Sequence, residues 1–128
     1  MQADINGPQR KILSGGARPL KAAHGLEGIA VRDGMSLPFV VERQWSAPAG
    51  YYVEQWFLVK PDTGEVFIEG PAKQSLILGL QARTELIDEI PDRFPLEPGT
   101  YQLVFALGGL KGGEADVQVV AAPAEEAA

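Results

Sequence analysis

The chain has 128 residues, of which 45% are hydrophobic and 22% charged, and its formal net charge is −6. This length fits one domain with a hydrophobic core and leaves no room for a second core. The absence of cysteine excludes a disulfide framework, a zinc–thiolate site and a thiol nucleophile. The acidic balance predicts that the protein has no nucleic-acid partner, because phosphate groups are repelled by a negatively charged surface.

Residues 1–28 are basic and rich in glycine and proline, and they show little hydrophobic periodicity. We therefore predict an irregular N-terminal arm here, with at most a short strand near Lys11–Leu13. The arm is expected to bind a partner protein, and its predicted contact residues are Arg10, Lys11, Ile12, Leu13 and Arg18. The alternative is that Lys11–Leu13 pairs with a sheet edge of the same domain.

Two long segments with strand character follow, Met35–Trp45 and Tyr51–Lys60, and residues 46–50 form a loop between them. Pro38 confines the start of the first strand to a sheet edge or a bulge. Alternation along the second strand places Trp56 on the same face as Glu54 and Leu58. Trp56 is therefore predicted to lie in the core.

Three aromatic residues bracket the loop of residues 46–50: Trp45, Tyr51 and Tyr52. Aromatic side chains at such a position can cap the core and hold the strands together. They can also anchor a protein contact or stack on a small ligand such as a sugar ring. All three interpretations stay open, and the three residues are candidates for partner binding.

The sequence Pro-Asp-Thr-Gly at residues 61–64 predicts a β-hairpin between Lys60 and Glu65–Glu69. Proline presets φ at the second position of the turn, and Gly64 accepts a positive φ later in it. Residues 74–82 fit a helix about as well as a strand. Alternation over residues 82–90 favours a strand for the second half of this segment.

A turn at Pro98-Gly99 precedes the last pair of predicted strands. Tyr101 follows this turn directly, as in the tyrosine corner of sandwich domains, where the hydroxyl bonds back to the backbone. Glycines at residues 108–113 then close a hairpin to Glu114–Val120. Residues 121–128 are predicted to be a frayed tail. The predicted structural residues are Trp56, Gly64, Gly99 and Tyr101.

About seven short strands separated by turns predict an all-β fold, an immunoglobulin-like Greek-key β-sandwich over residues 29–120. Two motifs carry a narrower resemblance. The segment Trp-Phe-Leu-Val-Lys-Pro-Asp-Thr-Gly, residues 56–64, precedes Pro-Leu-Glu-Pro-Gly-Thr-Tyr-Gln-Leu, residues 95–103. In this order they resemble uncharacterised bacterial immunoglobulin-like domains. The resemblance implies a fold and no activity.

Catalytic and metal-binding groups are scarce in the sequence. His24 is the only histidine, which excludes a multi-histidine metal site, and it lies in a glycine-rich stretch. Residues 14–18 lack the Gly-Lys-Ser/Thr ending of a phosphate-binding loop. The densest acidic group is predicted to form a solvated edge that prevents edge-to-edge pairing, and it comprises Glu85, Asp88, Glu89 and Asp92.

We therefore expect a chain that is not an enzyme and has no cofactor and no metal ion. The expected function is a non-catalytic protein-interaction or structural module, a small accessory subunit of a larger assembly. The alternative is a ligand-binding module, for example for carbohydrate, that uses the end with Trp45, Tyr51 and Tyr52. A protein partner or a homo-oligomer, a cytoplasmic location and no membrane span complete the expectation.

Overall fold

A computed structural model describes residues 9–21 and 27–123 of the chain. Within these ranges the secondary structure consists of strands, which confirms the all-β prediction. No helix in the described part is long and apolar enough to cross a membrane. The strands are β1 (Lys11–Pro19), β2 (Ile29–Arg32), β3 (Met35–Ser36), β4 (Phe39–Ser46), β5 (Gly50–Val59), β6 (Val66–Glu69), β7 (Lys73–Ile77), β8 (Thr84–Ile90), β9 (Gly99–Leu107) and β10 (Leu110–Ala121).

The strands form two sheets. The smaller sheet has the order β1-β4-β8 and is antiparallel throughout. The larger sheet has the order β3-β2-β10-β9-β5-β6 and is mixed, because β2 runs parallel to β10 while the other pairs are antiparallel. The outer edge of β5 is shared by two strands: β7 pairs with its first half and β6 with its second half.

Both sheets contribute to one hydrophobic core because their strands alternate between inward apolar and outward side chains. In β5 the inward side chains of Trp56 and Leu58 are fully buried, whereas Tyr51 and Val53 on the outer face are exposed. The ring of Trp56 meets that of Phe39 from the other sheet edge to face, with 6.2 Å between the ring centroids. These contacts hold the two sheets together.

The prediction of an irregular N-terminal arm is wrong for its described part. Strand β1 pairs with β4 from Lys11↔Ser46 to Pro19↔Phe39, with one register shift near its start. Gly15 faces the core, where an added methyl group would lie 2.8 Å from the ring of Phe105. Gly15 thus lets β1 approach the core closely. The pairing of β1 with β4 is the alternative given above, in which Lys11–Leu13 pairs with a sheet edge of the same domain.

The hairpin prediction at residues 61–64 is confirmed: β5 and β6 pair up to Val59↔Val66, and Gly64 has a φ of 76°. The predicted strand Met35–Trp45 is divided into β3 and β4, because Pro38 has no N–H for a ladder hydrogen bond. The segment 74–82, left open between helix and strand, continues β7 to Ile77 and then forms a loop.

A network of buried charges joins the two sheets beneath the aromatic residues. The Arg43 guanidinium on β4 donates two hydrogen bonds to Glu54 on β5, one of them with an Nε–Oε2 distance of 2.8 Å. It also lies 3.2 Å from a carboxylate oxygen of Asp88 on β8. The indole N–H groups of Trp45 and Trp56 donate to Glu54 and Asp88, each at 2.9 Å. The charges are therefore paired and hydrogen-bonded, as buried charges must be.

Asp88 thus corrects the prediction of a solvated acidic edge. Its side chain points inwards and is buried, and Lys73 on β7 donates a further hydrogen bond to it. The neighbours Glu85 and Glu89 lie on the outer face of β8 and are exposed. Alternation along a strand separates adjacent residues in this way, so one acidic cluster in the sequence becomes two different environments.

This environment lowers the pKa of Asp88. Burial of the carboxyl raises its pKa, but the Lys73 hydrogen bond, the Arg43 charge and the Trp56 hydrogen bond together lower it below the usual value of 3.8. The ionised form is therefore favoured in the folded protein. Its contribution to stability is present above the unfolded-state pKa and is lost as the pH falls through the folded-state pKa.

We expect the free energy of unfolding of the wild-type protein to fall as the pH drops below about 4. Asp88→Asn removes this titration, so the variant should be less stable at pH 7 and lose less stability between neutral and acidic pH. Urea unfolding at a series of pH values measures both curves. Parallel curves for the two proteins would contradict the role of Asp88.

Candidate functional site

Four chain segments meet at one end of the two sheets. They are residues 9–10 before β1, the β4–β5 loop of residues 47–49, the β7–β8 loop of residues 78–83 and the turn at residues 108–109. The register places them together, because Lys11 pairs with Ser46, Thr84 with Trp45 and Ile77 with Gly50. We call this the basic end after its four basic side chains, which are Arg10, Lys11, Arg83 and Lys111.

Arg10 connects residues 9–10 to the end of β9 and to β5. Its guanidinium donates to the carbonyl oxygen of Leu107 at 2.8 Å and lies over the Tyr52 ring, 4.9 Å from the centroid. The Tyr52 hydroxyl in turn donates to the Pro48 carbonyl oxygen at 2.8 Å. A methyl group added at Gly108 would lie 2.7 Å from the Arg10 guanidinium, which shows how closely these segments pack.

The β7–β8 loop is held in shape by its own hydrogen bonds. The backbone N–H of Leu78 donates to the Thr84 hydroxyl oxygen at 2.9 Å, and that of Ala82 donates to the Gly79 carbonyl oxygen at 3.2 Å. Arg83 precedes Thr84 directly and is exposed. In the smaller sheet Lys11 and Arg83 lie on either side of the end of β4. Two strand spacings of about 4.8 Å separate them, so their Cα atoms are about 10 Å apart.

The basic end differs in charge from the rest of the protein. Its four segments, residues 9–10, 47–49, 78–83 and 108–109, contain no aspartate or glutamate. Carboxylates occur at its margin, where Glu85 is exposed and Glu114 pairs with Lys111. The turns at the opposite end hold Asp33, Asp62, Glu65, Asp92 and Glu97 alongside Arg32, Lys60 and Arg93. Although the net charge is −6, basic side chains are therefore concentrated at one end of the sheets and most of the acidic turn residues at the other.

An apolar surface adjoins the basic end on the outer face of β5 and β7. Tyr51 is 69% exposed and pairs across the strands with Leu76. We call this surface the tyrosine patch. Its members are large apolar side chains that are all at least 47% exposed, namely Tyr51, Val53, Leu76, Leu78 and Leu80. Contiguous exposed apolar side chains on a small protein indicate a binding surface.

The structure brings some of the residues predicted to bind a partner together and separates others. Arg10, Lys11 and Tyr52 lie at the basic end, and Tyr51 lies next to it on the outer face of β5. Trp45 is fully buried beneath them, and Ile12 is partly buried against the core, while Leu13 is 46% exposed on β1. Arg18 lies at the other end of β1, where it pairs with Glu42. Trp45 therefore supports the site without reaching its surface.

Arg83 and Lys111 were missed by the sequence analysis. Arg83 is the last residue of the β7–β8 loop, and Lys111 lies near the start of β10, two residues after the turn at residues 108–109. A basic residue next to a turn is a weak signal by itself. It gains meaning only when the strand order shows which turns share an end of the sheets. Residues 22–26, including His24, lie outside the described residues.

The four predicted structural residues lie away from the basic end. Trp56 is fully buried in the core, and Tyr101 is 1% exposed. The Tyr101 hydroxyl donates to the Glu97 carbonyl oxygen, four residues upstream, at 2.8 Å. Gly64 occupies the β5–β6 turn, and Gly99 begins β9 with a φ of 153°.

A shallow groove of about 370 Å³ runs over β1 and β4, where Gly16 leaves the surface open. The two arginines that line it are already paired, Arg18 with Glu42 and Arg43 with Glu54, and its other charged residues, Glu27 and Glu85, are acidic. In residues 9–21 and 27–123 there is also no group of three or more histidine, cysteine, aspartate or glutamate side chains that could hold a metal ion. The basic end is the better candidate site.

No protein-family model and no curated protein matches the sequence. Among the solved structures that resemble the fold is the Pseudomonas fluorescens alkylpurine DNA glycosylase AlkC bound to DNA that contains an abasic-site analogue. The likeness has a TM-score of 0.48 and 16% sequence identity, and it covers 91% of this chain and 32% of the glycosylase chain. This chain thus spans about a third of the length of that protein.

This finding overturns three predictions, because the similar structure is an enzyme and is bound to DNA. The predictions of a non-catalytic protein-interaction or structural module, of a chain that is not an enzyme and of no nucleic-acid partner are withdrawn. The carbohydrate-binding alternative is withdrawn with them. At this low similarity, the likeness assigns neither an activity nor a ligand to the present chain.

Proposed function

We propose that this protein binds nucleic acid through the basic end. The observation that carries the proposal is that Arg10, Lys11, Arg83 and Lys111 lie in or directly beside four segments that contain no acidic residue. Lysine and arginine side chains that contact phosphates release condensed counterions, which is the main source of affinity for nucleic acid. A locally positive surface can provide this even when the protein as a whole is acidic.

The described architecture supports such a surface. Lys11 begins β1 and Arg83 directly precedes β8, and these two strands are the neighbours of β4 in the sheet; Arg10 is fixed by its contacts with Leu107 and Tyr52. The basic groups are therefore attached at strand ends or within one or two residues of them. Side chains held in this way lose less conformational entropy when they bind.

For the fold we propose the immunoglobulin-like Greek-key sandwich that the sequence predicted, related to the bacterial domains named above. The order β1-β4-β8 corresponds to strands A, B and E of that fold, and β10-β9-β5 to strands G, F and C. The connections β4–β5 and β8–β9 cross between the sheets, as Greek-key connections do. Loops clustered at one end of such a sandwich are its usual binding site.

Lys11→Gln/Arg83→Gln tests the proposed function. We expect the wild-type protein to bind a fluorescent oligonucleotide of about 20 nucleotides, and the double variant to bind it several-fold more weakly. Two lost phosphate contacts should also reduce the slope of log affinity against log salt by about 1 to 2 between about 50 and 200 mM salt. Fluorescence anisotropy at several salt concentrations measures both quantities.

The matched control is Arg93→Gln, which removes an exposed arginine from the opposite end of the sheets. Its affinity and salt slope should equal those of the wild type. Equal losses in the control and the double variant would show that only overall charge matters. That result, or no binding of the wild-type protein at low salt, would reject the basic end as the site.

A further inference from the structure

The tyrosine patch is not explained by phosphate binding. Contacts to phosphate need cationic or hydrogen-bonding side chains, and they need no exposed apolar surface. Yet Tyr51, the most exposed large hydrophobic side chain of the described residues, lies on β5 beside the basic end. The tyrosine patch should therefore contact a part of the ligand other than its phosphates.

Tyr51 and Tyr52 are adjacent in sequence but have different environments. Tyr52 is half-buried, with its ring against Arg10 and its hydroxyl bonded to Pro48. Tyr51 points to the other face of β5. Its hydroxyl forms no hydrogen bond with any group in residues 9–21 and 27–123. Its ring is therefore available to a ligand.

The surroundings of Tyr51 form a platform. Leu76 pairs with it across β5 and β7, and Val53 follows two residues later on the same face. Leu78 and Leu80 continue the apolar surface into the β7–β8 loop, whose shape is fixed by the Thr84 hydroxyl. The same loop ends at Arg83, so the platform and a cation are joined by only a few residues.

We infer that the ligand is single-stranded nucleic acid, with an unpaired base stacked on Tyr51 while Arg83 and Lys11 contact the adjoining phosphates. This inference rests on the proposed function and names its substrate class. In a duplex, both faces of each base are covered by neighbouring bases, so an exposed ring has nothing to stack on. A single strand offers base faces and phosphates next to each other, which matches an aromatic platform beside a basic surface.

The combination of a stacking platform with basic side chains also explains how a site with few cations can bind nucleic acid. Stacking on an aromatic side chain adds affinity at each base, and it does not depend on the sequence of the strand. A site of one platform and a few cations on an acidic protein therefore favours a short, flexible strand that can avoid the distant carboxylates. A rigid duplex would extend past the margin where Glu85 and Glu114 lie.

Tyr51→Ala tests the inference on a labelled single strand and on a duplex of the same sequence. We expect the wild-type protein to prefer the single strand. The variant should lose between about fivefold and a hundredfold in affinity for it and change by less than about twofold on the duplex. Tyr51→Phe keeps the ring and should retain the preference.

Four outcomes would overturn the inference. If the wild-type protein prefers the duplex, or if Tyr51→Ala weakens both ligands equally, the ring is not a stacking platform, while the proposed function survives. If Tyr51→Phe loses as much as Tyr51→Ala, the hydroxyl and not the ring makes the contact. If neither ligand binds to the wild-type protein, the proposed function itself fails.

Discussion

Arg43→Met should lower the free energy of unfolding by about 3–5 kcal/mol, the usual cost of removing one partner from a buried ion pair. Methionine fills much of the arginine volume, so the loss comes mainly from charge. Glu54 and Asp88 would remain buried without the guanidinium that forms an ion pair with each of them. Since a domain is stable by only about 5–15 kcal/mol, this one substitution removes a large share of that stability.

Urea unfolding followed by circular dichroism measures the effect, and Arg18→Met is its matched control. Arg18 also pairs with a glutamate across β1 and β4, but its side chain is 42% exposed and that of Glu42 is 36% exposed. The control should therefore lose at most about 1 kcal/mol. Similar losses of unfolding free energy in the two variants would contradict the expectation that the buried Arg43 ion pairs stabilise the protein more than the exposed Arg18 pair.

Trp56→Ala should likewise cost about 3–5 kcal/mol, because it leaves a large cavity between the sheets. The indole is fully buried, contacts the ring of Phe39 and donates its N–H to Asp88. Thermal unfolding measures the loss. The loss should be smaller in Trp56→Phe, which keeps most of the packing but removes one ring and the hydrogen bond to Asp88.

Fluorescence provides an independent check in a Trp45→Phe background, where Trp56 is the remaining tryptophan. A buried indole should emit at short wavelength and resist quenching by iodide in the native state. Emission typical of a solvated indole, together with a small loss of stability in Trp56→Ala, would contradict the packing of β5 against the smaller sheet.

The buried network and the basic end are linked through β4 and β5. Trp45 and Glu54 are hydrogen-bonded to each other beneath the surface that carries Tyr51, Tyr52 and Arg10. A buried pair close to the candidate site fixes the position of the strands that present it. Positions of binding groups are set in this way by the supporting layer beneath them.

Local patterns in the sequence were sufficient for several parts of the fold. The strand character of the chain follows from period-two alternation, which also places Trp56 and Tyr51 on opposite faces of β5. The hairpin at residues 61–64 follows from the backbone preferences of proline and glycine. Both signals arise within a few residues, so no knowledge of distant contacts is needed.

The tertiary structure alone decided the rest, because it depends on pairing between segments far apart in sequence. Glycines in residues 11–19 suggested an irregular arm, but β4 offers a partner edge and Phe105 a surface to pack against. Asp88 is buried rather than solvated because Arg43 and Lys73 reach it from other strands. The basic end exists only because the strand order brings together turns that are up to about a hundred residues apart along the chain. Composition averages such charges over the whole chain, and only the fold separates them in space.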